Sequence, residues 1–272
     1  MSKAFHFHQG SSPLLISMPH VGTDIPAEIA AGMHAVAGVK ADTDWHLPLL
    51  YNMAQELGAS VLSAHHSRYV IDLNRSTDDT NLYPGQDTTG LFPIDTFIKQ
   101  PLYLDGMQPS ADQMQQRISQ YWQPYHAQLQ HEVERIRQQH GIVILWDAHS
   151  IASQLPRFFE GKLPDLNFGT ADGRSCDASL QQALAAALQT PEVAAYTHVF
   201  NGRFKGGYIT RNYGRPEQQV HAVQLEMSQC IYMNETAPFD YRPDLAAQLQ
   251  PLLLKLLNAC LDWAAARQRR VE

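Results

Sequence analysis

Asp147 and His149 stand two residues apart at the end of the apolar run Ile142-Val-Ile-Leu-Trp146. A carboxylate and an imidazole so placed can hold a divalent ion or move protons. His20 follows a second apolar run, Leu14-Leu-Ile-Ser-Met18, with only Pro19 between them. Two histidines and one carboxylate form a common catalytic zinc set that leaves a fourth position for water. Asp44 and Asp24 are the candidate carboxylates, with Asp42 behind them. As plain structural residues, Asp24 would serve a turn and Asp44 would cap a helix. The reading leans to Asp44, because a helix turn holds it more rigidly than Thr23-Asp24-Ile25-Pro26 would. On the same plain reading, Asp147 caps the next segment and His149 is a hydrogen-bonded core residue.

Glu226 ends Val-Gln-Leu-Glu and would emerge from an apolar wall. Partial desolvation raises a carboxyl pKa toward neutrality, which suits a general base. A surface glutamate at a strand end is the simpler alternative. From Val193 to Pro216 there is no acidic residue, yet Arg203, Lys205, Arg211 and Arg215 all occur. Arg68 and Arg75 add cations beside strand candidates. Arginine suits bidentate carboxylate recognition, so the expected substrate is a small anion. A solvated loop with its charges paired elsewhere is the competing reading. His65-His66 and His6/His8 read as surface histidines. Ser150 lacks the Gly-x-Ser-x-Gly elbow, and no phosphate-binding glycine loop is present.

These residues need elements to position them. Leu14–Met18, Ser60–Ala64, Tyr69–Leu73, Ile142–Trp146 and Val220–Glu226 read as strands. His20, Asp72-Leu-Asn-Arg75, His149 and Glu226 then close strand ends, as in a site built along one sheet edge. Helices are expected over Pro26–Val36, Leu47–Leu57, Ser110–His140 with a kink at Pro124, Asp177–Leu188 and Leu245–Ala266. Residues 76–109 are a long loop rich in Asp, Thr, Pro and Gly, expected to lie over the site as a lid. Strands alternating with helices predict an α/β domain. At 272 residues, a single domain over 1–272 is expected.

The formal charge of -7 argues against a nucleic-acid surface. Cys176, Cys230 and Cys260 show no C-x-x-C spacing, which disfavours a disulfide framework and a cysteine-rich zinc site. The opening residues hold no apolar signal region, and no stretch approaches a membrane span. The expectation is a cytoplasmic protein without a membrane partner. Nothing in the sequence fixes its oligomeric state.

Several long motifs occur in order from about Leu15 to Tyr241. They include Ser17-Met-Pro-His-Val-Gly22, Asp42-Thr-Asp-Trp-His46 and Ser67-Arg-Tyr-Val-Ile-Asp-Leu-Asn-Arg75. Leu145-Trp-Asp-Ala-His-Ser-Ile151, Asn201-Gly-Arg-Phe-Lys-Gly-Gly-Tyr-Ile-Thr-Arg211 and Gln224-Leu-Glu226 follow. In these the chain resembles the N-formylglutamate amidohydrolase family. The resemblance implies a mixed sheet with helices on both faces, of the zinc-dependent exopeptidase-like (phosphorylase/hydrolase-like) kind. In that wider fold His149 matches a later ligand histidine and Glu226 the general base. Asn74 and Arg75 match an Asp-x-Asn-Arg run that holds substrate in aspartoacylase. The usual His-x-x-Glu ligand pair is absent, since Thr23 stands three residues after His20.

The resulting expectation is metal-dependent hydrolysis of N-formyl-L-glutamate to formate and L-glutamate, the last step of a histidine-degradation route. His20, Asp44 and His149 would hold a divalent ion, zinc foremost. Glu226 would be the base. Arg75, or one of Arg203 and Arg211, would stabilise the oxyanion. Arg68, Asn74, Arg203 and Arg211 would bind substrate, and Asp147 would orient a ligand histidine. Deacylation of another N-acyl acidic amino acid is the alternative, and a non-catalytic anion-binding module a weaker one.

Overall fold

The computed structural model describes residues 3–82, 84–190 and 195–269. Seven strands form one mixed sheet in the order β1-β3-β2-β4-β7-β5-β6. They are β1 (Phe5–His8), β2 (Leu14–Met18), β3 (Ser60–Ala64), β4 (Val143–Ile151), β5 (Leu166–Gly169), β6 (His198–Phe200) and β7 (Val220–Ser228). The central β3, β2, β4 and β7 run parallel. β1 pairs antiparallel with β3, and β5 antiparallel with β7. The helices are α1 (Ala27–Ala30), α2 (Ala35–Val39), α3 (Leu47–Leu50), α4 (Ala111–Arg117), α5 (Gln123–His140), α6 (Ala178–Ala187), α7 (Tyr208–Tyr213) and α8 (Pro243–Gln268).

Both faces of the sheet are covered, so β2, β4 and β7 are buried throughout. On one face Ile144, Trp146, Val223 and Leu225 meet Leu180 and Leu184 of α6 and the Leu249–Leu257 stripe of α8. On the other, Leu15, Val143, Leu145 and Ala222 meet Tyr125, Leu129, Val133 and Ile136 of α5. Strand side chains alternate between faces. Asp147 and His149 therefore continue the Val143/Leu145 face, and Gln224 and Glu226 continue the Val220/Ala222 face. The first half of each strand is apolar packing against the α5 layer. The second half carries the polar groups.

The expected helical region over 110–140 forms, and it is divided near Pro124. Ser110 and Gln113 form a reciprocal capping box at the start of α4. Gly141 ends α5. A π-helical turn over Ile118–Trp122 separates α4 from α5, just ahead of Pro124, which lacks the amide donor a continuous helix needs. Other expectations are corrected. Tyr69–Leu73 forms turns rather than a strand, although Tyr69, Val70, Ile71 and Leu73 are buried. Burial of both side-chain faces in a packed loop produced the apolar run. The Leu47–Leu57 helix shrinks to α3 and a 3₁₀ turn over Asn52–Ala54. β4 and β7 are longer than expected, so Asp147 and His149 lie inside a strand rather than past its end, and Glu226 lies inside β7 rather than at its last position.

Candidate metal centre and active site

His20, Asp44 and His149 are buried together, with candidate ligand atoms all within 4.8 Å of one another. Their positions follow from the sheet. His20 lies two residues beyond β2, and Asp44 N–H donates to the His20 carbonyl at 3.0 Å. Asp44 thus precedes α3 rather than lying in it, and is held by a backbone bond to the segment carrying its neighbour. His149 pairs in register with Glu226 across β4 and β7.

Each imidazole turns Nδ1 toward Asp44. His149 Nδ1 is 3.0 Å and His20 Nδ1 is 3.7 Å from Asp44 Oδ2. The outer nitrogens have carboxylates of their own. His20 Nε2 is 2.7 Å from Asp72 Oδ1, and His149 Nε2 is 3.2 Å from Asp147 Oδ2. Ligating histidines are oriented in this way, by a carboxylate on the nitrogen that faces away from the ion. With the imidazoles neutral, as ligation requires, three buried acids less the Arg68 charge on Asp72 leave an excess of negative charge that a divalent cation would offset. The donor set and its supports therefore fit a metal of the zinc class.

Burial alone would raise Asp44, but hydrogen bonds and charge from His149 and His20 hold it well below the usual carboxylate range. Burial likewise acts upward on Asp72, and the charges of His20, Arg68 and Arg75 outweigh it. His149 is disfavoured as a cation by burial, yet Asp147 and Asp44 carry its pKa well above the ordinary value. Glu226 moves the other way. Burial pushes its carboxyl up to about 8, opposed by His149 and reinforced by Asp44. A buried carboxyl with a near-neutral pKa beside a candidate metal cluster can accept and return a proton.

A cleft opens on this cluster. Arg68, Asn74, Arg75, Arg203, Gln224 and Glu226 line it together with His20, Asp44 and His149. Arg68 is buried, donates to Asp72 Oδ2 at 2.6 Å and lies over the Phe97 ring. Arg75 donates to the Thr89 and Asn74 carbonyls at 2.9 and 3.0 Å. Arg203 donates Nε to the Phe158 carbonyl at 2.6 Å. Asn74 is a connector: Nδ2 is 3.1 Å from His149 Nε2, and Oδ1 accepts from Ile209 N–H at 2.8 Å. A Cβ on Gly207 would come within 2.2 Å of Asn74 Nδ2, so only glycine permits this approach.

Arg211 is not among the described residues lining the cleft, and its Nε donates to the Gly206 carbonyl at 2.8 Å. Lys205 pairs with Asp172 at 3.0 Å, so part of the acid-free run is neutralised from elsewhere. Asp24 lies apart from the cluster, 2.9 Å from His66 Nδ1, and His66 is buried rather than on the surface. The 76–109 loop supplies Asp87, Thr88, Thr89 and Phe97 to the cleft wall. Sequence reasoning did not assign Asp72 its place behind His20. The only signal was its position in the Asp72-Leu-Asn-Arg75 run. Gln224 was likewise unassigned; it accepts from Gly207 N–H at 2.7 Å and reaches Glu226 Oε2 at 3.4 Å.

A family model described as N-formylglutamate amidohydrolase matches residues 12–233. The chain belongs to the N-formylglutamate amidohydrolase family. It is 50% identical over 270 residues to an N-formylglutamate deformylase of Pseudomonas putida, covering 99% of this chain and 100% of that one. It is also 50% identical to the Pseudomonas aeruginosa N-formylglutamate deformylase, over 98% and 99% of the two chains. The crystal structure of N-formylglutamate amidohydrolase from Ralstonia eutropha superposes with a TM-score of 0.80 at 26% identity, over 98% of this chain and 99% of that one. An Agrobacterium tumefaciens protein shares the fold at a TM-score of 0.69 and 19% identity, over 95% and 96%. The family match runs through the 76–109 loop and the segments that carry Arg68, Arg75, Arg203 and Arg211.

Proposed function

We propose that this chain hydrolyses N-formyl-L-glutamate to formate and L-glutamate. The observation that carries the reading is half identity, end to end, with two chains named for that deformylation. The cleft supports it with a proton carrier, a candidate metal cluster and arginines for a dianionic substrate. The whole 1–272 chain is read as one catalytic domain of the zinc-dependent exopeptidase-like kind. Placed as the last step of histidine degradation, the reaction belongs in the cytoplasm.

His20, Asp44 and His149 would hold the divalent ion, zinc foremost, with Asp72 and Asp147 fixing the imidazoles. Such an ion, when bound, supplies a Lewis acid that polarises the formyl oxygen and lowers the pKa of water. Glu226 takes a proton as water adds to the formyl carbon. It returns that proton to the nitrogen as the C–N bond breaks, releasing formate and the amine of glutamate. Arg75 hydrogen-bonds neutral carbonyls among the described residues, so its charge is available to the developing oxyanion. Arg68 and Arg203, both in the cleft wall, would hold the substrate carboxylates. Asn74 accepts from Ile209 N–H and packs its amide between His149 and Gly207, which keeps this wall in place.

The test is formate release from N-formyl-L-glutamate by purified protein before chelation, after it and after zinc restoration. Loss and recovery of activity with metal is the expected result. Formate production indifferent to chelation, in protein shown to be metal-free, would remove the metal from the reading. No formate from folded, metal-loaded protein would remove the substrate, and a panel of N-acyl acidic amino acids would then find its replacement.

A further inference from the structure

A second histidine–carboxylate cluster stands outside the cleft. Candidate ligand atoms of Asp24, His65 and His66 all lie within 4.8 Å of one another. The backbone holds their two segments together. Asp24 and His66 form an isolated parallel bridge, Asp24 N–H donates to the His65 carbonyl at 3.2 Å, and Ser67 N–H donates to the Asp24 carbonyl at 2.8 Å. Gly22 approaches so closely that a Cβ there would fall 2.1 Å from the His66 carbonyl oxygen.

The side chains are arranged for something other than one another. His66 Nδ1 is 2.9 Å from Asp24 Oδ2, and the His66 side chain is only 3% exposed. Nδ1 has only Asp24 beside it, and Nε2 has no hydrogen-bond partner among the described residues. A buried imidazole is ordinarily satisfied. His65 Nε2 faces the same Asp24 oxygen at 4.0 Å. Its other nitrogen, Nδ1, is 3.1 Å from His6 Nε2. That outer contact fixes the ring as supports of ligand histidines do.

We propose that Asp24, His65 and His66 form a second cation site for a divalent ion of the zinc class. Two imidazoles and one carboxylate select such ions over magnesium or calcium, which prefer all-oxygen shells. The ion would clamp the segment after β2 to the segment after β3. His20 lies four residues before Asp24 and Arg68 two after His66, so the clamp secures two segments that feed the cleft.

Equilibrium dialysis of the full-length protein against zinc, with bound metal counted per chain, tests this. The variants are Asp24→Asn and His65→Ala, whose wild-type side chains are 44% and 33% exposed, so folding should survive. His8→Ala, an exposed histidine on β1, is the control. Each of the first two should hold one equivalent fewer than the unaltered chain, and the control should hold the same number. Because the result is a difference, it stands whether or not the cleft cluster takes an ion. Equal zinc in the unaltered chain and both variants would overturn the site. An equal loss from His8→Ala would also overturn it, by showing diffuse capture on surface histidines.

Discussion

Glu226 concentrates the chemistry that a single residue can test. Its raised pKa means that the base form is depleted below about pH 8 in the absence of a bound cation. The rate should therefore rise with pH along an acidic limb. A cation among His20, Asp44 and His149 favours the carboxylate, so loading metal should move that limb to lower pH. A pH profile of kcat/KM at two metal loadings checks both the sign and the shift. Glu226→Gln keeps size and polarity but cannot take a proton, and should lower kcat by about 100- to 10,000-fold with metal content unchanged. Normal turnover in that variant would remove Glu226 as the base. His149→Ala deletes a candidate ligand and should leave purified protein short of one metal equivalent; an unchanged metal content would end that assignment. Arg203→Ala should act mainly on KM, by roughly tenfold or more, since a charge-assisted contact is worth about 1.5–3 kcal/mol.

At the scale of elements, strand parity does the positioning. Ile144, Trp146 and Ala148 face α8, while Asp147 and His149 face the α5 side with Val143 and Leu145. The parallel register then sets His149 beside Glu226. Loops complete the site, and their contacts are close. Gly207→Ala places a methyl group where the Asn74 amide stands. The expected outcome is a displaced Asn74–His149 contact and a large fall in kcat. The far-ultraviolet circular dichroism should be unchanged, because the sheet is not involved. Near-normal kinetics would show that Asn74 has no positioning role.

For the whole molecule, the candidate metal centre joins His20 and Asp44 to His149, which lies 105 residues beyond Asp44. The structure places buried Asp44, Asp72 and Asp147 around two histidines, so a cation bound only by the folded state should stabilise it. Saturation at 100 times Kd corresponds to about 2.7 kcal/mol. Chelation should accordingly lower Tm by several degrees, and zinc should restore it. A Tm indifferent to chelator, in protein whose metal has been shown to leave, would contradict the charge argument. No helix among the described residues is long and apolar enough to cross a membrane. Even α8, at 26 residues, keeps a polar face and packs its leucine stripe on the sheet.

The sequence by itself determined the alternating α/β order, the two longest helical regions, and the runs that became β2, β4 and β7. It did so because burial imposes a period of 2 or 3.6 on the apolar residues, and that period is local. It also exposed His20, His149 and Glu226, since reactive side chains directly following apolar runs are unusual. It left Tyr69–Leu73 indistinguishable from a strand, because a loop buried on all sides is as apolar as one. The choice between Asp44 and Asp24 was not local either. Both are acids near turns, and only the fold brings Asp44 to His20 and His149 while setting Asp24 against His66. Asp72 behind His20 was decided the same way, by a contact between residues 52 positions apart. Distances across a sheet depend on register and layer packing, and no spacing along one segment contains them.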